Sequence, residues 1–349
     1  MTASSAAPRA GYEIAAQADL GPLNTFRVPV RTACLATLHD AQALAALFAE
    51  PLLAEASKLF VLGGGSNVLF TRDFDGAVLR VASRGIEVIE ETAAAVGLRV
   101  AAGENWDGLV RWTLRRGLAG LENLILIPGT VGAAPIQNIG AYGVELDEFV
   151  TRVEAWDFAR RAMVRLEAKA CGFGYRDSRF KREAGRYLVA AVELELPRER
   201  ELRLDYAGVR DELAAMAVGK PAHADVARAV ERLRRRKLPD PAEIGNAGSF
   251  FKNPILGAAE ATALQSEHPD LRMYRFPDGR TKLSAAAMIE ACGFKGRRDG
   301  RVGVSHRHAL VLVNHGGASG AEVWVLAERI RAAVQSRFGI MLEPEPRIL

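Results

Sequence analysis

Leu59-Phe60-Val61-Leu62-Gly63-Gly64-Gly65-Ser66-Asn67-Val68-Leu69-Phe70 reads as strand, glycine turn, strand. The apolar run 59–62 has buried-strand character. Three successive glycines then let several main-chain amides point into one concavity, a nest that suits phosphate oxygens. A plain flexible turn is the alternative. No G-x-G-x-x-G opens a helix here and no Gly-Lys-Ser/Thr follows, so neither the Rossmann fingerprint nor the P-loop applies.

On the N-terminal side, residues 24–28 read as a short strand that residues 30–38 extend, and Asp40 caps a helix over 41–48. On the C-terminal side, strands are expected over 78–81, 86–91 and 98–102. A helix is expected over 106–116, with Gly117 as its stop. A second unusual stretch follows at 125–146. It holds four glycines and two prolines and carries no charge before Glu145. A surface loop would be more polar, and a core helix would not tolerate those glycines and prolines. Small residues of this kind let a backbone pack closely against something flat, with exposed amides offered to a phosphate or a heterocycle. The bland alternative is a crowded interdomain crossing. Two glycine-rich segments in one chain can grip two parts of one cofactor.

Strands are expected at 150–158 and 188–196, with a polar hairpin at 157–165. Between them Tyr175 and Arg176 could clamp a carboxylate or phosphate through the guanidinium fork; an ion pair of Arg176 with Asp177 or another acid is the structural alternative. Residues 205–208 form a turn carrying an exposed Tyr206. The amphipathic helix 224–237 ends on Arg232, Arg234, Arg235, Arg236 and Lys237, more cations than a helix C-terminus needs. Pro239 and Pro241 mark a domain junction. In residues 245–254, Gly-Asn-Ala-Gly-Ser-Phe-Phe-Lys-Asn-Pro, Ser249 follows a glycine and precedes two aromatic rings, as in a short strand or tight loop that holds one hydroxyl. Helices are expected over 284–292, with Ser284 as cap, and 320–338. Residues 306–314 read as a strand with His306 and His308 on one face. The end, 342–349, places Glu345 between two prolines and could be an exposed tail.

The chain has 349 residues, enough for two or three domains, and a net charge of +4 that suits an anionic ligand. Three distant cysteines argue for a reducing compartment and against disulfides. Residues 1–10 read as a frayed, disordered tail without signal-peptide character, and no apolar run reaches the roughly 18 residues of a membrane span. Cytoplasm is therefore the expected location. No ligand pattern supports a metal at the histidines. Nucleic acid would need aromatic platforms beside the basic run, and they are absent.

Six stretches together resemble the UDP-N-acetylenolpyruvoylglucosamine reductase family of flavoproteins, in the family's order over nearly the whole chain. They are Asn24-Thr25-Phe26, residues 62–69, residues 127–143, Tyr175-Arg176-Asp177-Ser178, residues 245–254 and Leu342-Glu343-Pro344-Glu345. The resemblance implies an α+β chain. Its FAD-binding fold would be of the vanillyl-alcohol-oxidase/PCMH type, with two α+β subdomains (11–84 and 85–238, the latter with a tyrosine-loop insert). A C-terminal α+β substrate domain (239–349) would follow. Non-covalent FAD would lie on Leu62, Gly63, Gly64, Gly65, Ser66 and Asn67, on Pro128, Gly129, Thr130, Gly132 and Ala133, and on Asn138, Gly140 and Ala141. NADPH would be co-substrate and a UDP-sugar enolpyruvate the substrate, held by Tyr175, Tyr206, Lys237, Asn253 and His308. A monomer is expected.

The implied chemistry is hydride transfer from flavin N5 to the methylene carbon of the enolpyruvyl ether. Ser249 matches the family's proton donor. Arg176 and Glu345 match residues that stabilise the enolate-like charge, and Glu345 would have to be protonated to do so beside a carboxylate. Pro346 and His308 depart from common family residues at their positions, and the chain stops sooner than in some relatives. The rival reading is an FAD oxidase of an alcohol or sugar, which would have no use for Ser249. Lys252 is left without a role.

Overall fold

The computed structural model describes residues 11–349; the tail expected at 1–10 lies outside the described residues. Two compact units emerge, interleaved in sequence. The first holds the described residues up to Ala18, then 32–64 and 75–234; the second holds 19–31, 65–74 and 235–349. One boundary falls inside the glycine triplet, after Gly64, and another inside the helix His223–Lys237, after Arg234.

The first unit contains two larger sheets and the two-stranded pair Gly140–Ala141 with Val144–Glu145. One has four strands in the order Tyr12–Asp19, Arg31–Leu38, Phe74–Val81, Leu59–Leu62, the last two parallel with Phe60 opposite Val78. The other has five antiparallel strands in the order Ala162–Glu167, Val150–Asp157, Tyr187–Pro197, Ala95–Ala101, Ile86–Glu91. Alternation explains the strand Arg31–Leu38: Thr32, Cys34, Ala36 and Leu38 are buried while Arg31 and Ala33 face out. By contrast Tyr187–Pro197 is buried on both faces, with only Glu195 and Pro197 left less covered. The helix Trp106–Arg115 starts where Asn105 accepts from Gly108 N at 2.8 Å, and buries Trp106, Leu109 and Val110 in the core of this unit. Asp40 caps as expected, accepting from Gln42 N at 2.9 Å, though the first turn is 3-10 before the short α-helix Leu44–Phe48.

The second unit is built on an antiparallel sheet in the order Gly245–Ser249, Val311–Asn314, Val302–Val304, Arg298–Asp299. A smaller sheet runs Ile255–Leu256, Thr281–Leu283, Met273–Arg275. The helix Gly320–Phe338 matches its sequence reading, closed by a Ser319–Glu322 capping box and by Gly339 at φ +69°. Ser284 caps Ala285–Ala291 through Ala287 N.

Three expectations are corrected here. Residues 24–28 form a turn, not a strand. The buried Asn24 side chain donates to Leu20 O and Val28 O at 3.0 Å each and accepts from Val28 N at 3.1 Å. These bonds give the backbone a local alternative to a ladder. Residues 306–310 are a bend connecting Val302–Val304 to Val311–Asn314, so His306 and His308 do not alternate along a strand. The end of the chain is no tail: Arg347–Ile348 pairs in parallel with Val68–Leu69, and Thr71 N and Oγ1 both donate to Leu349 O at 2.7 and 2.6 Å.

Candidate active site

In the first unit the two glycine segments meet back to back. A Cβ on Gly64 would lie 2.8 Å from Gly129 Cα, and one on Gly63 would lie 2.6 Å from Thr130 Oγ1 and 3.3 Å from Ala133 Cβ. Gly132 approaches Ala102 as closely, 2.4 Å from a would-be Cβ to Ala102 Cβ. Residues 131–137 are a 3-10 helix, Val131–Gln137, which accommodates Pro135 where an α-helix would not. Asn138 ends it in the left-handed region at φ +44°. Its fully buried side chain donates to Glu145 Oε2 at 3.1 Å and Gly174 O at 3.3 Å and accepts from Asp147 N at 3.0 Å. That side chain ties residues 138–147 to the arginine turn.

The arginine turn is tight. Gly174 and Asp177 exchange main-chain bonds of 3.0 and 3.1 Å, leaving Tyr175 and Arg176 at its corner, Arg176 at φ +52°. Asp177 pairs with Arg182. Arg176 Nη2 donates to Gly140 O at 2.8 Å, which brings the guanidinium onto the second glycine segment. Ser178 Oγ donates to Ile136 O at 2.6 Å and Lys181 Nζ to Arg176 O at 2.7 Å, fixing the turn from both sides. Tyr206 is 47% exposed, and its ring stands edge-on to Tyr142, centroids 4.9 Å apart.

The basic helix end resolves into separate residues. Arg232 Nε pairs with the buried Glu212 at 2.6 Å. Arg234 has a buried Nε with no hydrogen-bond partner among the described residues. Burial pushes its guanidinium pKa down, and Arg176 adds to that. Sequence reasoning missed this residue. The signal was there: Val226, Val230 and Arg234 recur every four residues, and both valines are buried, so Arg234 continues an apolar stripe.

In the second unit the serine segment carries a β-bulge. Asn246 faces Val313 while Ser249 faces Val311, one residue more than its partner strand, with Gly248 at φ +67°. Asn246, 1% exposed, props the bulge by accepting from Gly248 N at 2.9 Å and donating to Pro239 O and Ile244 O at 3.1 and 2.9 Å. The bulge sets which way Ser249, half-buried, faces. Gly245 admits the Thr25–Phe26 turn: a Cβ there would sit 2.3 Å from Phe26 O, which accepts from Asn314 Nδ2 at 2.8 Å. Phe250 and Phe251 are fully buried, and Phe250 stacks edge-on with Phe26 at 6.0 Å.

The terminal glutamate joins this segment. Glu345 N donates to Phe250 O at 2.8 Å and Lys252 N to Glu343 O at 3.0 Å, around a bridge between Phe251 and Pro344. Asn67 Nδ2 donates to Glu345 O at 3.3 Å, and Arg347 N to Asn67 O at 3.0 Å. Asn253 Oδ1 accepts from Ala285 N at 3.0 Å, at the start of the helix Ala285–Ala291. His308 Nδ1 accepts from Leu310 N at 3.2 Å. Burial first, then Lys237 and Lys295, hold its imidazole below the usual histidine range, against Glu290.

Residues 240–349 match a family model described as UDP-N-acetylenolpyruvoylglucosamine reductase, C-terminal domain, and residues 32–166 match one described as FAD binding domain. A reductase of that name from Xanthomonas euvesicatoria pv. vesicatoria is 51% identical, covering 97% of both chains. The chain belongs to the UDP-N-acetylenolpyruvoylglucosamine reductase family. A second such protein, from Xanthomonas campestris pv. campestris, is 50% identical over 99% of both chains. The crystal structure of the family's enzyme from Thermus caldophilus superposes with a TM-score of 0.66 at 25% identity, covering 97% of this chain and 98% of that one. The α+β FAD-binding fold with a C-terminal domain therefore stands, and the protein is an FAD-dependent oxidoreductase.

Proposed function

We propose that this family member reduces the enolpyruvyl ether of UDP-N-acetylglucosamine enolpyruvate to UDP-N-acetylmuramate, with NADPH as the reductant. The observation that carries the reading is the bulged serine strand bonded to the Glu345 segment, a specialised piece of backbone that plain FAD binding does not require. FAD held there would supply the two-electron relay between NADPH and the enolpyruvyl ether. The residues present fit that cofactor, because glycines at 63, 64 and 132 let the two glycine segments pack against each other and against Ala102, so that both can offer main-chain amides to one pyrophosphate.

Ser249 donates the proton to the carbon that turns carbanionic after hydride addition. Arg176 and Glu345 stabilise the charge that spreads into the substrate carboxylate. Residues 62–67, 128–133 and 138–141 hold FAD; Tyr175, Tyr206, Lys237, Asn253 and His308 hold the UDP-sugar. Lys237, exposed at the helix end, suits a diphosphate. The enzyme works as a monomer, and free cysteines at 34, 171 and 292 are in keeping with the reducing cytoplasm.

Ser249→Ala tests the reading by separating the two half-reactions. Flavin reduction by NADPH should keep its rate, while product formation falls by about 10²–10⁴, the usual worth of a general acid. Equal loss in both steps would sink the proton-donor role.

A further inference from the structure

We propose that Arg234 is the cation that stabilises the negative charge of the bound flavin once it is reduced. The inference rests on the FAD-binding reading above and assigns a residue that the glycine segments do not include.

Arg234 follows Val226 and Val230 on the buried face of its helix and is itself half-buried. Its Nε is buried without a hydrogen-bond partner among the described residues. An unsatisfied buried donor of this kind is costly, the more so when it is charged. The titratable groups that act on it are Arg176, Tyr142 and Asp107. Arg176 is a second guanidinium and repels it. Asp107 is already spent: Oδ1 accepts from Leu126 N and Oδ2 from Arg111 Nε, each at 2.8 Å, and Arg111 is shared with Glu231 at 3.1 Å.

The three neighbours trace one path. Asp107 is bonded to Leu126, at the start of the second glycine segment; Arg176 is bonded to Gly140, near its end; Tyr142 follows directly. Arg234 thus acts on groups tied to both ends of that segment. Hydride addition to a neutral flavin ring brings two electrons and one proton, and leaves one negative charge on the ring's pyrimidine side. A guanidinium held in a poorly solvated place beside that segment favours the charged form.

The test is a redox titration of the holoenzyme without substrate, comparing the parent with Arg234→Gln and Arg234→Lys. Flavin absorbance of the parent is read first, which separates failure of the cofactor reading from failure of this one. Arg234→Gln is expected to destabilise the reduced cofactor about tenfold or more, a midpoint potential lower by about 30 mV or more for a two-electron couple. Arg234→Lys keeps the charge and should lose less than half of that shift. In the unmodified enzyme the midpoint should fall by about 30 mV per pH unit near neutrality, one proton for two electrons. Arg234→Gln with the parent's potential overturns the proposal, and weakened substrate binding in that variant would place Arg234 on the substrate instead. A parent slope of about 60 mV per pH unit, two protons for two electrons, overturns it without any variant.

Discussion

The amide of Glu345 donates to the carbonyl of Phe250 at 2.8 Å, which fixes the carboxylate-bearing residue one position across from Ser249. Two residues from opposite ends of the C-terminal sequence are thereby held by main chain, not by side chains. Lys252 adds an ion pair to Glu343 at 2.6 Å, but Glu343 is 70% exposed. Exposed pairs contribute about 0–1 kcal/mol. Lys252→Met should therefore change unfolding free energy in urea by less than about 1 kcal/mol and leave kcat for the overall reduction unchanged. A large loss of kcat would show that the lysine itself enters the chemistry.

The glycine triplet gives an ordered pair of outcomes. A methyl at Gly64 meets the Gly129 backbone at 2.8 Å, which can yield only by separating two chain segments. A methyl at Gly63 meets mainly the Thr130 hydroxyl at 2.6 Å, which can rotate away. Overpacking costs about 1–3 kcal/mol. Gly64→Ala should lower thermal stability and flavin retention more than Gly63→Ala, measured by melting temperature and flavin-to-protein absorbance ratio. The reverse order would mean the close approach to Gly129 is not what the glycine serves.

His308 predicts a pH dependence of stability. Its folded pKa lies below the unfolded value near 6.5, for burial and two lysines disfavour the imidazolium. Above about pH 6.5 both states are neutral and the group contributes nothing. As pH falls through 6.5 the unfolded chain takes up a proton that the folded chain refuses, so stability drops. His315 acts in the same direction through burial and Arg298. His308→Gln should flatten, though not abolish, the fall in melting temperature between pH 7.5 and 5.5. An unchanged slope would place the sensitivity elsewhere.

Periodic and punctuated features were readable from the residues. The helix Gly320–Phe338 follows from apolar spacing between a Ser319 cap and Gly339, and the two glycine segments announced close backbone contact. Ser249 after Gly248 already implied an unusual backbone, and a bulge is what it forms. The errors share one cause. Residues 24–28 carry strand-like side chains, but Asn24 closes a turn with its own neighbours. His306 and His308 alternate in sequence yet lie in a bend. In the sequence Arg234 is one of five cations at a helix end, and only the packing of its helix buried its Nε.

By itself the sequence determined most of the helices and strands, where glycine is required and which family the motifs resemble, since these depend on residues near one another in the chain. The partners of those segments are different. That Glu345 bonds to Phe250, Arg176 to Gly140 and Phe26 to Asn314 was decided by tertiary structure alone. Such bonds join residues far apart in sequence, so no local propensity encodes them. They exist because burying the aromatic and glycine-lined surfaces leaves each polar backbone group one place to find a partner.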